Sequence, residues 1–422
     1  MNSVYIEEIS IENYRSCTGT VFRPNSSLSG LIGINGSGKT NILNALRLLN
    51  PELYERSNRS AKEDSSLPKS IFMATFRINS KRVLFKLTLT IASSSGSEEV
   101  ISSLEQWNFV DFTKDDYWID IPSYLANDTY RNKYAINTIY NSNRRKGTQG
   151  NNESDIHAQA MAAIFSNNEF LTVFKSIVAY RTQIRYYSAS IFTDPSRCPS
   201  SFEIDATGDL DRPYYGRPPP AHLQFLYDLY SLKKINPTLY QEYEYFVSTK
   251  TLGLVSRISW KPVKLSSQVV ELRSGGSINK VRQYKTLVVP KVQVGSSHIT
   301  FNQLSEGTFK TLALIFYIMT DKSSCLLIEE PEVCIHHGLL RRIISTIKAY
   351  SRDRQIIFTT HSDLAIDLID PDNIFVVDMK RSSTRVGSLS HWAGENGMLA
   401  LNAYLEESGT LGEYWRSGGF TS

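Results

Sequence analysis

Eight consecutive residues, Gly33-Ile34-Asn35-Gly36-Ser37-Gly38-Lys39-Thr40, bring together what phosphate chemistry needs. Glycines let backbone N–H groups close on an anion, and a helix N-terminus adds its positive dipole. The spacing is G-x-x-x-x-G-K-[ST] at every fixed position. Asn35, Gly36 and Gly38 then line a phosphate cradle, Lys39 reaches the β- and γ-phosphates, and the Thr40 hydroxyl ligates Mg²⁺. The bland alternative is a glycine turn that happens to carry Lys-Thr. Its flanks argue otherwise. Leu28–Ile32 reads as a short strand entering the loop, and residues 41–49 carry apolar side chains at helical spacing.

A second set of chemical residues lies in the C-terminal third. Cys325-Leu326-Leu327-Ile328 reads as a buried strand ending in Glu329-Glu330-Pro331-Glu332. Two carboxylates at a strand end facing a phosphate loop suit two tasks: Glu329 to hold Mg²⁺ and Glu330 to orient an attacking water. A charged surface turn is the alternative. Gln355–Thr360 is another strand, and it delivers His361 to where a γ-phosphate would lie. Leu304-Ser305-Glu306-Gly307-Thr308 precedes an apolar helix over Phe309–Met319. Ser305 is placed as a helix cap, and Gly307 permits close approach of an anion; taken alone, this segment also fits an ordinary N-cap.

The elements that must position these residues follow from pattern. Val4–Ile11 reads as an opening strand; Ser70–Ile78 and Arg82–Ile91 read as a hairpin, with Val83, Phe85, Leu87 and Leu89 on one face. Residues 51–69 and 139–154 read as loops, the second carrying Arg144-Arg145-Lys146. Helical patterns cover 156–178 and 221–248, Pro195–Pro220 looks irregular, and 266–300 reads as strands interrupted by Ser274–Ser277. At 422 residues two lobes are expected. The resulting division is 1–92 as a lobe with the phosphate loop, 93–265 as an inserted helical region with loops, and 266–422 as a second lobe.

Composition narrows the class. Apolar residues make up 41% and charged residues 21%, which fits a globular chain. No run of about 18 apolar residues and no signal-peptide pattern appear, so a cytoplasmic protein without a membrane partner is expected. The four cysteines show no C-x-x-C pairing, against a zinc site or disulfide scaffold. A net charge of +4 does not by itself imply nucleic acid.

Taken in order, Gly33–Thr40, Leu304–Thr308, Cys325–Glu332 and Thr360-His361-Ser362 resemble the ABC-class ATPases, within the RecF, SMC and overcoming-lysogenization-defect group. Ile11-Glu12-Asn13-Tyr14-Arg15-Ser16 looks like that group's N-terminal strand motif, which implies that Asn13 and Arg15 lie near the nucleotide. The resemblance covers residues 1–92 and 295–422. It implies an α/β fold: an ABC-type ATPase head with a P-loop core and an inserted, mostly helical region. It implies ATP and Mg²⁺ as ligands, a catalytic Glu330, a His361 switch, and heads that dimerise around ATP. Ser305 and Gly307 would then contact the γ-phosphate on a partner's loop.

Glu329 departs from the Asp of many ABC proteins, and His337 stands where the overcoming-lysogenization-defect branch often has Pro. Gln106 and Gln183 are candidates for a glutamine-lid residue. Similar stand-alone ATPases accompany a separate effector, often a nuclease, in anti-phage systems such as Septu and PARIS. The expected function is therefore an ATP-hydrolysing subunit that senses or controls such a partner, with no nuclease domain following the head. A RecF-like DNA-repair ATPase that binds nucleic acid, and a nucleotide-regulated scaffold with little turnover, are the alternatives.

Overall fold

The computed structural model describes residues 4–54, 68–94, 97–111, 118–121, 168–205, 210, 219–272, 278–333, 335–407 and 409–418. In chain order, β1 (Val4–Glu12), β2 (Thr20–Phe22), β3 (Leu28–Ile32) and α1 (Lys39–Arg47) are followed by β4 (Lys69–Ile78), β5 (Lys81–Ser94), β6 (Ser97–Asn108) and β7 (Ile119–Asp120). Then come α2 (Asn168–Thr182), β8 (Ile184–Ser188), β9 (Phe202–Ile204), α3 (Ala221–Ile235), α4 (Pro237–Val247), β10 (Arg257–Leu272), β11 (Ile278–Val294) and β12 (Ser297–Ile299). The chain continues through α5 (Glu306–Thr320), β13 (Cys325–Glu329), α6 (His337–Tyr350), β14 (Gln355–Thr360), α7 (Asp363–Asp367), β15 (Ile374–Lys380), β16 (Ser383–Ser388), α8 (Leu389–Glu406) and α9 (Leu411–Arg416).

Two compact units interleave along the chain. One holds residues 1–186, 322–330 and 351–422; the other holds 187–321 and 331–350. The expected segment boundaries at 92 and 265 both fall inside strands, β5 and β10, because each strand belongs to a longer ladder than local pattern marks. The inserted region carries helices α2, α3 and α4, together with strands β6 to β9.

In the first unit a six-stranded sheet runs β16-β15-β3-β14-β13-β8. Its central strands pair in parallel, β14 with β3 and with β13. Buried on both faces, β3 and β14 are covered at every residue, which is why they read as short apolar runs without alternation. A second six-stranded sheet, β2-β1-β4-β5-β6-β7, is antiparallel at every pair of neighbouring strands. There the alternation is clean: Phe72, Ala74, Phe76 and Ile78 on β4 and Val83, Phe85, Leu87 and Leu89 on β5 point inward. The hairpin expected over 70–91 forms in register, Phe76 facing Val83.

One polar knot crosses this core. Arg181 is fully buried and lies 3.8 Å over the Phe85 ring; it donates to the Leu49 carbonyl at 2.9 Å and pairs with Glu105 at 3.1 Å. Tyr54 hydroxyl joins the same group, donating to Glu105 at 2.6 Å. Leu49 closes the segment after α1, so the knot fixes the far end of the helix that follows the glycine loop.

In the second unit, β10 and β11 form a long antiparallel ribbon, with β9 and β12 on the other side of β11. Helices α3, α4 and α5 pack through an aromatic set that includes Phe192, Phe225, Phe309 and Phe316. The Arg144-Arg145-Lys146 loop, residues 156–167 of the expected helix, and Ser274–Ser277 lie outside the described residues.

Candidate nucleotide site

The glycine loop links β3 to α1, as its spacing requires. Gly36 has φ 82° and Gly38 φ 102°, in the left-handed region where a side chain is strained. Space adds a second constraint at Gly38, where a Cβ would come within 2.0 Å of Thr384 Oγ1. At Gly33 a Cβ would meet the Val377 carbonyl oxygen at 2.4 Å, so the loop lies directly on β15. The next turn is helical at once, with Asn41 and Ile42 N–H donating to Gly38 carbonyl at 3.0 and 3.1 Å.

A cross-brace holds the loop from behind. Thr384 Oγ1, on β16, donates to the Ser37 carbonyl at 3.2 Å and lies 2.7 Å from Ser16 Oγ. Ser16 Oγ in turn accepts from Asn41 Nδ2 at 2.6 Å. Arg15 Nη1 donates to Asn41 Oδ1 at 3.3 Å, so the 13–16 turn is fastened to the first turn of α1. Asn13 and Arg15 both have left-handed backbones (φ 54° and 50°), which sets the tight turn after β1. Arg15 thus lies beside the first turn of α1, and Asn13 stands exposed at the start of the turn.

Lys39 is 5% exposed, and its ammonium donates to the Gly33 and Ile34 carbonyls at 2.7 and 3.0 Å. Asn35 and Gly36 form the exposed crown of the loop. Thr40 Oγ1 donates to Glu329 Oε1 at 2.6 Å. The two residues chosen from sequence for metal ligation therefore meet, although 289 positions separate them. The parallel register of β13 and β14 sets Glu329 opposite Thr359, which brings Glu330 and His361 to one edge. His361 Nδ1 lies 3.6 Å from Glu330 Oε1. Glu330 has φ 45°, and its N–H is shared by the Thr359 carbonyl and hydroxyl, both at 3.2 Å.

The residues present fit a magnesium nucleotide. Ser37 Oγ is buried without a hydrogen-bond partner inside the loop, a donor that an anion in the cradle can satisfy. Thr40 hydroxyl and Glu329 carboxylate are the hard oxygen donors that Mg²⁺ selects.

Ser305 and Gly307 fall in the other compact unit. Ser305 caps α5, its Oγ accepting from Thr308 N at 3.2 Å, and Gly307 lies in that helix's first turn. Gln183 accepts from Ser324 Oγ at 2.7 Å, at the start of β13. With about 3.3 Å of rise per residue, that is roughly 16 Å along the strand from Glu329. Gln106 lies within the antiparallel sheet, donating to Asp120 at 3.1 Å. Neither glutamine is at the strand edge that carries Glu330. Sequence inspection missed Thr384, Ser16 and Asn41 as braces, and Tyr186, whose hydroxyl donates to Glu329 Oε2. Only the N-terminal motif around Ser16 carried a local signal.

The AAA ATPase domain family matches residues 5–252, more than half of the 422-residue chain, and the chain belongs to that family. Its core is the α/β P-loop fold of an ATPase, carrying an inserted helical region. A second AAA domain family, whose description names the AbiEii toxin and a type IV toxin–antitoxin system, matches residues 291–367. Among curated proteins, the DNA replication and repair protein RecF of Rickettsia massiliae is 27% identical over 149 residues, covering 33% of this chain and 40% of that protein. RecF of Rickettsia rickettsii is 30% identical over 114 residues, covering 26% and 32%. The chain thus spans well under half the length of these relatives. Among solved structures, an SMC head bound to the C-terminal winged-helix domain of ScpA aligns with 92% of this chain and 99% of that one, at 14% identity and TM-score 0.48. No described helix is long and apolar enough to cross a membrane.

Proposed function

We propose that the chain is an ATP-binding and ATP-hydrolysing subunit of the RecF/SMC-like ABC class, working in a bacterial anti-phage complex where it senses or controls a separate effector such as a nuclease. The observation that carries the catalytic part is the meeting of Thr40 with Glu329 beside the Glu330–His361 pair, at the mouth of the glycine loop. A bound Mg²⁺ would supply charge neutralisation to the nucleotide's phosphates. Lys39, Gly36 and Gly38 bind the phosphates, and Thr40 and Glu329 hold the cation. Glu330 orients the attacking water and accepts its proton, and His361 steadies that carboxylate and approaches the γ-phosphate. Asn35, Asn13 and Arg15 complete the nucleotide contacts.

Ser305 and Gly307 act on a neighbouring copy, so two heads close around ATP. The toxin–antitoxin description attached to the 291–367 family supports a paired defence system. ATP turnover should rise more than linearly with protein concentration. Mixing inactive Lys39→Ala and Ser305→Arg chains should restore partial activity, because one of the two composite sites stays intact. No recovery in verified heterodimers, with Ser305→Arg still binding ATP, would count against a shared site whose halves fire independently.

A second reading, a RecF-like DNA-repair ATPase, is favoured by the RecF similarity. Salt-dependent affinity of the isolated protein for duplex DNA would support it. The effector's presence in a purified complex would support the first.

A further inference from the structure

Glu329 is one methylene longer than the aspartate common in ABC proteins, and its two oxygens have separate partners. Oε1 accepts from Thr40 Oγ1 at 2.6 Å; Oε2 accepts from the Tyr186 hydroxyl at 2.5 Å. Tyr186 lies on β8, the neighbour of β13 in sheet order. The Arg47 guanidinium sits 5.1 Å from the centre of the Tyr186 ring. Arg47 is the last residue of α1, whose first two residues are Lys39 and Thr40. The tyrosine therefore touches the carboxylate with its hydroxyl and the phosphate-loop helix with its ring.

We infer that Tyr186 is a positioning residue for the metal-binding carboxylate, matched to the length of Glu329. A glutamate has one more rotatable bond than an aspartate, and that freedom must be lost when a cation is bound. The phenol removes it beforehand. By anchoring Oε2, it presents Oε1 to the place where Thr40 also offers its oxygen. Hydrogen bonds of this kind, to a ligand rather than to the metal, orient the ligand and commonly change metal affinity by about 10- to 100-fold. The matching runs both ways. Shortening the side chain withdraws the carboxylate by about 1.5 Å, one C–C bond, and takes it out of hydrogen-bond reach of the phenol.

The inference rests on the magnesium-nucleotide reading above, and the test separates the two. The affinity of a fluorescent ATP analogue is measured in EDTA and across a Mg²⁺ titration, for wild type, Tyr186→Phe, Glu329→Asp and the double variant. Tyr186→Phe keeps the ring on Arg47 and deletes only the hydroxyl. It should raise the Mg²⁺ midpoint roughly tenfold while leaving affinity in EDTA unchanged. Glu329→Asp should also raise the midpoint, and adding Tyr186→Phe to it should cost little more.

A Tyr186→Phe protein that melts like wild type and keeps the wild-type midpoint overturns the inference. Equal losses with and without Mg²⁺ overturn it too, since Tyr186 would then merely prop the loop. Should Tyr186→Phe not fold, Glu329→Asp still decides: Mg²⁺ binding as tight as wild type would show that no length matching exists. Absence of nucleotide binding by the wild type would overturn the nucleotide-site reading itself, and this inference with it.

Discussion

Glu330 combines a catalytic assignment with a strained backbone, and two substitutions separate them. Its φ of 45° places a residue with a Cβ in the left-handed region, at a cost of about 1–2 kcal/mol. The N–H that anchors this conformation goes to Thr359 and is kept on truncation, while the part-buried side chain, 33% exposed, gives up its approach to His361. Glu330→Gly removes the strain and adds about 0.5–1 kcal/mol of chain entropy cost. The net expectation is a melting temperature at or slightly above that of the wild type. Glu330→Gln keeps both shape and strain and loses the carboxylate. Phosphate release at saturating ATP should fall about 10²- to 10⁴-fold in both variants. That is about 3–5 kcal/mol of barrier at 1.36 kcal/mol per tenfold. Binding of a fluorescent ATP analogue should persist in both. Wild-type turnover in Glu330→Gln would refute the assignment and move the water-orienting role to Glu329. A Glu330→Gly protein that melts several degrees lower would refute the strain argument.

Three further outcomes follow from the same structure. Arg181→Met leaves Glu105 buried and unpaired beside Tyr54 and should cost about 3–5 kcal/mol in chemical denaturation, with much of it recovered on adding Glu105→Leu. Equal costs for the single and double variants would show that the pair is not coupled. Burial pushes the Asp228 carboxyl up to about 6, against hydrogen bonds from Gln224 and Tyr317. The folded state therefore binds more protons than the unfolded chain between about pH 4 and 6, so this group's contribution is present below pH 4 and lost as pH rises through 6. Asp228→Asn should raise the melting temperature at pH 7 and lose that advantage near pH 4; a pH-independent difference would contradict the burial. Gly38→Ala meets both a left-handed backbone and Thr384, and should abolish nucleotide binding, as read by the same fluorescent analogue.

What the sequence made legible was contiguous or set by strand ends. The glycine loop is one segment whose flanking strand and helix are patterned locally, so its position and its lysine and threonine could be read directly. Glu330 and His361 could each be placed at a strand end because each follows a short apolar run, but their 3.6 Å approach to one another comes from the parallel register of β13 and β14. The braces were not legible. Thr384 reaches Ser37 across 347 positions, and nothing around residue 384 marks it as the wall behind a phosphate loop. Tyr186 sits on a strand whose neighbour is chosen by long-range pairing, so its hydroxyl could not be assigned to Glu329 from period or spacing. The expected divisions at 92 and 265 lie inside β5 and β10, because long-range ladder pairing carries each strand past the residues that its local pattern marks. The alternation on β4 and β5, by contrast, is a local consequence of one buried face and could be counted.

The central claim is that the 33–40 loop binds the phosphates of ATP through Lys39. Titrating a fluorescent ATP analogue into wild-type and Lys39→Ala proteins, with Mg²⁺ present and both folds checked by melting, tests it most directly. Lys39 sits 5% exposed with its ammonium held at the Gly33 and Ile34 carbonyls, aimed along the loop. Saturable binding by the wild type and a loss of at least about tenfold in the variant are expected, the scale of one charge-assisted hydrogen bond. Equal affinity in the two proteins would contradict it.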